Sequence, residues 1–149
     1  MEQILDAPAS AQRSMQYAGF WIRVGAYFID WIILLVLQVM LSLMFFGSVG
    51  FTETNIGLTV TMIVIGILYY CGMESSSKQG TLGKMAVGIK VGNENGEQIS
   101  FGNALGRYLS KIISALILLI GFMMVGWDDK KQGLHDKIAG TYVFYGPEN

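Results

Sequence analysis

The sequence predicts an α-helical membrane protein with about three transmembrane helices and a small cytoplasmic β-hairpin between the second and the third. Three observations predict it. The 149 residues are 52% hydrophobic and 14% charged, with a mean hydropathy of +0.47. Three apolar runs approach or exceed the length needed to cross a bilayer, about 20 residues at 1.5 Å each. The stretch between the second and third runs instead mixes β-branched residues with turn formers. A chain of this length is expected to form one domain, here residues 17–149 behind a solvated tail at 1–16.

The N-terminal "MEQILDAPASAQRSMQYAGFW" lacks the compact apolar core and small-residue cleavage site of a secretory signal. The first span is expected at about 24–46, within "WIRVGAYFIDWIILLVLQVMLSLMFF", and a short polar turn, "GSVGFTETN", follows it. The second, at about 56–73, reads "IGLTVTMIVIGILYYCGM" and carries no charge. "KMAVGIKVGNENGEQISF" then reads as strand, turn, strand. Ile89 and Val91 flank Lys90, "NENG" supplies turn residues, and 98–101 resumes the strand character, so a hairpin is expected over about 85–101. The third span, at about 108–127, is "YLSKIISALILLIGFMMVGW". The C-terminal segment, 128–149, opens with a turn and short helix in "DDKKQGLHDKIAG", and "TYVFY" reads as a closing strand.

Basic residues set the orientation. The first connection holds only Glu53 and belongs outside. Arg13 and Arg23 place the tail in the cytoplasm, and Lys78, Lys84, Lys90 and Arg107 place the second connection there. Three crossings then put the C-terminal segment outside, although it carries Lys130, Lys131 and Lys137 and its strand would pair most easily with the hairpin. The alternative is a third segment that bends at Gly121 and returns, which requires protein or water to cover its polar backbone.

On a helix, Arg23, Tyr27, Asp30 and Gln38 fall within roughly an 80° sector, opposite Phe28, Ile32, Val36, Val39 and Leu43. A charge at the centre of a span costs about 2.5–3.5 kcal/mol, so this polar seam should face other helices. Thr59, Gly66 and Tyr70 share a face of the second span, with Glu74 just past its end. Arg107, Lys111, Ser114 and Gly121 share a face of the third. Arg23 and Asp30 lie about 10 Å apart along the axis, too far for an easy direct pair. Lys111, a water or a cation is expected to fill the gap.

These residues resemble the RDD family of small membrane proteins, named for one arginine and two aspartates. The resemblance rests on "AGFWIRVGAYFID", "GTLGKMAVGIKV", "GNALGRY" and "QGLHDKIAGTYVF" and runs from about Ala18 to the end. It implies that the arginine is Arg23, the first aspartate Asp30 and the second Asp136. It also implies transport for some members, certain relatives being regarded as cation/proton antiporters.

Two functional readings follow. In the first, Asp30 belongs to a site at which a monovalent cation exchanges for protons, with Arg23, Tyr27, Gln38, Lys111 and Asp136 as further candidates. Three spans make a thin wall, so a homo-oligomer would enclose the path. In the second, the chain is a non-transport membrane adaptor or assembly factor whose buried charges hold the bundle together. Either way, the expected setting is a bilayer, as a multi-pass protein of a bacterial cytoplasmic (inner) membrane.

Other classes are not expected. A net charge of −1 offers no basic excess for nucleic acid. His135 is the only histidine and Cys71 the only cysteine, which excludes an internal disulfide and leaves a zinc set incomplete. No nucleophile–base pair suggests an enzyme, and no cofactor is implied. "GTLGK" lacks the spacing of a phosphate loop and reads as a tight interfacial turn, where Lys84 could meet an anionic lipid head group.

Overall fold

The computed structural model describes residues 16–47, 56–116 and 120–146. The expected tail at 1–16 and the turn between the first two spans fall almost wholly outside these residues. Among the described residues two helices are long and apolar enough to cross a membrane: α1 at Phe20–Phe46 and α2 at Ile56–Glu74. α1 ends on Gly47, whose left-handed φ of 67° lets its N–H reach back to the Leu43 carbonyl.

After α2 the chain builds a compact cap. It contains α3 (Leu82–Ala86), β1 (Ile89–Gly92), α4 (Phe101–Leu116), α5 (Ile120–Met123), a 3-10 turn at Met124–Gly126, α6 (Leu134–Ala139) and β2 (Tyr142–Tyr145). α3 lies against α1, α4 packs on both α2 and α6, and the two strands close the assembly. A small apolar core of Ala18, Ala26, Cys71, Ile89, Val91, Ile99, Ala104 and Val143 sits where these elements meet.

The expected hairpin over 85–101 is corrected in one respect. Its first strand and its turn form, but the second strand does not. Asn93 donates its N–H to the Glu97 carbonyl, and its side-chain oxygen accepts from the N–H groups of Asn95 and Glu97. Residues 98–101 are then used otherwise. The Gln98 amide donates to the Ser75 carbonyl at 2.5 Å, and Ser100 starts α4 by accepting from the N–H of Asn103. β1 pairs instead with the C-terminal strand, antiparallel, with Ile89 opposite Tyr145 and Val91 opposite Val143. Tyr17, just ahead of α1, bridges to Phe144 on the other side of β2. Both ends of the described chain therefore meet the α2–α4 connection in one small sheet.

Within the expected third span the described residues form two helices, α4 before and α5 after residues 117–119. α4 has 16 residues and α5 has four. A Cβ built on Gly121 would lie 2.7 Å from Ser114 Oγ and 3.1 Å from Leu134 Cβ. Seven residues along a straight helix span about 10 Å, so the chain has folded back and Gly121 rests on the helix it came from. Only a glycine permits that approach.

Gly121→Ala tests this arrangement. In a straight helix alanine is the better former by about 1 kcal/mol and would raise the melting temperature. Here the added methyl meets Ser114, so thermal unfolding in detergent should show a lower one, by a cost of about 1–3 kcal/mol.

Candidate functional site

The polar residues gather at the end of the helix pair where α1 begins and α2 ends. They form two linked centres, one on Asp30 and one on a chain of ion pairs.

Asp30 is fully buried and is met by neutral donors. Oδ1 accepts from the Tyr69 hydroxyl at 2.6 Å and from the Gly83 N–H at 2.8 Å, and Oδ2 accepts from the Thr81 hydroxyl at 2.6 Å. Tyr69 in turn accepts from the Leu82 N–H at 3.0 Å. The carboxylate thus ties the start of α3 to the middle of α1. Thr81 is the N-cap of α3, and its side chain also accepts from the Lys84 N–H. Gly83 makes the docking possible. A Cβ there would run into the Ala26 carbonyl oxygen and lie 2.8 Å from the Asp30 carboxyl carbon.

The second centre is a relay of charges. Asp136 receives Arg23 on Oδ2 and Arg107 on Oδ1, each at 2.5 Å. Arg107 continues to Thr141 Oγ1 at 2.9 Å and, through Nε, to Glu74 Oε2 at 3.1 Å. Glu74 Oε1 holds Lys84 at 2.5 Å, with Lys111 further out at 3.6 Å. Arg23 also donates to the carbonyls of Ala18 and Lys131. One uninterrupted ionic path therefore joins α1, α6, α4, α2 and α3. Tyr27 lies beside it, its ring centre 5.1 Å from the Lys111 ammonium and 5.9 Å from that of Lys84. Tyr70 offers a second face 5.4 Å from Lys111.

Electrostatics at Asp136 follow from this geometry. Burial opposes its charge, but Arg107 and Arg23 outweigh burial and hold the carboxyl well below the ordinary range. His135 has the opposite fate. Burial, reinforced by Arg107, Lys111 and Arg23, outweighs Asp136 and pushes its pKa down to about 3. The ring is neutral, packs 5.1 Å from the Phe122 ring centre and leaves Nδ1 without a hydrogen-bond partner among the described residues.

The structure brings together four of the six residues singled out from the sequence: Arg23, Tyr27, Lys111 and Asp136. Asp30 adjoins them through α3, since Thr81 binds Asp30 while Lys84, three residues on, binds Glu74. Gln38 lies eight residues beyond Asp30, half-buried, and joins none of these interactions. The expected meeting of Lys111 with Asp30 is corrected: Lys111 turns to Glu74, because Gly83, Thr81 and Tyr69 already fill the space around the aspartate. Lys84 is likewise buried against Glu74 and does not reach outward. Among the described residues no group of histidine, cysteine or carboxylate side chains could hold a metal.

Sequence reasoning underrated Glu74, Arg107, Thr81 and Gly83. Each left a signal. Glu74 ends a span otherwise free of charge, Arg107 shares a face with Lys111, and Thr81 and Gly83 stand in the "GTLGK" turn.

Two outcomes follow from this arrangement. Arg107→Ala strips partners from both Glu74 and Asp136, so it should cost about 3–5 kcal/mol of stability, as expected for a broken buried pair. Lys111→Ala should cost much less, and equal losses in thermal unfolding would refute the relay. For His135, the folded pKa lies below the unfolded value near 6.5, so the unfolded state binds the extra proton. Stability should fall as pH drops from about 6.5 toward 3, and His135→Gln should flatten that slope.

The RDD family pattern matches residues 17–140. The uncharacterized protein YxaI of Bacillus subtilis is 42% identical over 147 residues, covering 86% of this chain and 97% of that protein. The uncharacterized membrane protein YteJ of the same organism is 31% identical, covering 87% of this chain and 81% of its own. A proline-rich antigen homolog of Mycobacterium tuberculosis is 36% identical over 85 residues, 54% of this chain and 35% of that protein. No solved structure matches the chain. The two apolar helices, the arginine and two aspartates at the end of that helix pair and the extent of the match together establish that this chain belongs to the RDD family and has its membrane character.

Proposed function

We propose that the chain is a two-pass membrane adaptor or assembly factor of the bacterial cytoplasmic membrane, and that its buried charges are structural. The observation that carries this reading is that the seam's acids are taken by the protein's own donors. Asp30 has three neutral donors, Asp136 two arginines, and Glu74 two lysines and an arginine. A cation arriving at any of them would meet a carboxylate already hydrogen-bonded by neutral donors or ion-paired with the protein's own cations.

In this reading α1 and α2 cross, and 101–126 forms a covered re-entrant segment in place of a third crossing. Tyr17, β1 and β2 share one sheet, which favours an even number of crossings. The basic residues of the tail, of 75–107 and of 128–146 then lie together on the cytoplasmic side. α1 is about 40 Å long against a hydrocarbon core of about 30 Å. Its first two turns can therefore stand at the interface, with Asp30 only a little below it.

The helix pair exposes Phe28, Trp31, Val36, Met40 and Met44 on α1 and Val60, Ile63 and Leu68 on α2. That surface suits lipid, further copies of the chain or a membrane partner. It supplies no walled path within one protomer, so exchange of a monovalent cation for protons would need an oligomer.

Asp30→Asn separates the two readings. Asparagine offers one carbonyl oxygen, and its NH2 would confront a donor from Thr81 or Gly83. The variant should lose about 3 kcal/mol of stability. Reconstituted wild type and variant should give the same background cation-driven proton flux. A robust wild-type flux that a folded Asp30→Asn protein lacks would establish exchange instead.

A further inference from the structure

Polarity on α3 runs the wrong way for a surface in water. Thr81 and Lys84 are buried, held by Asp30 and Glu74, whereas Leu82 and Met85 are 45% and 42% exposed. Three residues apart on a helix, the two share one face. Gly83 between them turns inward and lies against Ala26 and Asp30. A turn facing water would show its lysine and hide its leucine.

The depth of this face is set by its bonds. The Leu82 N–H donates to the Tyr69 hydroxyl at 3.0 Å, and the Gly83 N–H donates to Asp30 Oδ1 at 2.8 Å. Asp30 stands ten residues into α1, about 15 Å along its axis, and Tyr69 five residues before the end of α2, about 7.5 Å. α3 therefore lies beside the helix pair at the level of those residues, not beyond the helix ends. The exposed neighbours of Asp30 and Tyr69 along their own helices are apolar as well: Phe28 and Trp31 on α1, and Leu68 on α2. Leu82 and Met85 continue that apolar surface onto α3.

The backbone is closed for the same surroundings. The first N–H groups of a helix have no intrahelical acceptor and are ordinarily left to water. On α3 those of Leu82, Gly83 and Lys84 go to Tyr69, Asp30 and the Thr81 hydroxyl, the last at 3.4 Å. The N–H groups of Met85, Val87 and Gly88 are taken by the carbonyls of Thr81, Gly83 and Met85. Hydrocarbon demands such closure and water does not.

We infer that α3 inserts Leu82 and Met85 among the acyl chains of the leaflet nearest the cap, as a short wedge that fastens the cap to the membrane beside the two spans. This placement requires α1 and α2 to cross the bilayer, and it is the same whether the chain assembles partners or exchanges ions. The "GTLGK" turn thus meets the membrane with its apolar side chains and keeps its lysine inside.

The test is electron paramagnetic resonance of nitroxides on the full chain in nanodiscs, at single cysteines in a Cys71→Ala background. Oxygen concentrates among acyl chains and a water-soluble nickel chelate stays out of them, so the two collision rates separate lipid from water. Leu82→Cys and Met85→Cys should favour oxygen over nickel several-fold more than Asn95→Cys on an exposed turn, and should approach Val36→Cys on the exposed side of α1. Nickel collisions at 82 and 85 as frequent as at 95 would put α3 in water and overturn the inference. Low collision with both reagents would mean that a second copy or another protein covers the face, which also overturns it. If Val36→Cys itself meets nickel, α1 does not cross and the placement of α3 falls with it. Failure at 82 and 85 alone leaves the two spans standing. Should the labelled variants not fold, oxidation of wild type by aqueous hydrogen peroxide decides. Met85 should react as slowly as Met40 within α1, and several-fold faster once dodecyl sulfate unfolds the chain. Reaction in nanodiscs at the unfolded rate would refute insertion.

Discussion

The pairing of Asp136 with Arg23 and Arg107 is the constraint on which the rest of the structure depends. It joins the first helix to the last across 113 residues of chain, and through Arg107 it reaches Glu74 at the end of α2. Without it α6 has no hold on α1, β2 loses the anchor that brings it beside β1, and α4 loses its polar contact with α2. A buried arrangement of this kind is weak evidence for net stability, because desolvation consumes much of the attraction. Its value lies in specificity: the guanidinium groups fit only where these carboxylates stand, so one packing of the cap is selected over others.

Asp30 plays a complementary part by other means. Among the described residues it meets no salt-bridge partner; it accepts hydrogen bonds from a tyrosine, a threonine and a glycine backbone, and so holds a five-residue helix that could not stand alone. The two aspartates thereby fasten opposite ends of the cap, one through neutral donors and one through arginines. Lys84 links them, since it belongs to the turn that Asp30 caps and its ammonium belongs to Glu74. This explains why a small chain with few charges places so many of them inside.

Much of this was legible in the sequence. The two long spans follow from uninterrupted apolar length, and the direction of the polar seam from helical spacing. Arg23 and Asp136 are marked by the family resemblance. Other features needed the fold. The strand expected at 98–101 lost to the capping role of Ser100 and to the side chain of Gln98, because β2 offered β1 a partner more than 40 residues away. Periodicity sees no such distant competitor. The break in 108–127 depended on Gly121 meeting Ser114, a contact that a hydrophobicity pattern does not encode. Lys111 was paired with the wrong acid because depth along an axis says nothing of which neighbour arrives first. Three short donors on α3 and α2 had already closed around Asp30.

The central claim is that the ionic relay keeps the cap in one piece on one side of the membrane. The most direct measurement is the sidedness of single cysteines in a Cys71→Ala background, introduced by Asn95→Cys in the α2–α4 connection, Lys130→Cys beyond the third apolar segment, and Thr54→Cys between α1 and α2. A membrane-impermeant thiol reagent applied to oriented vesicles should label the first two from the same face and the third from the other. Labelling of positions 95 and 130 from opposite faces would contradict the account, because Asp136 could not then meet Arg23.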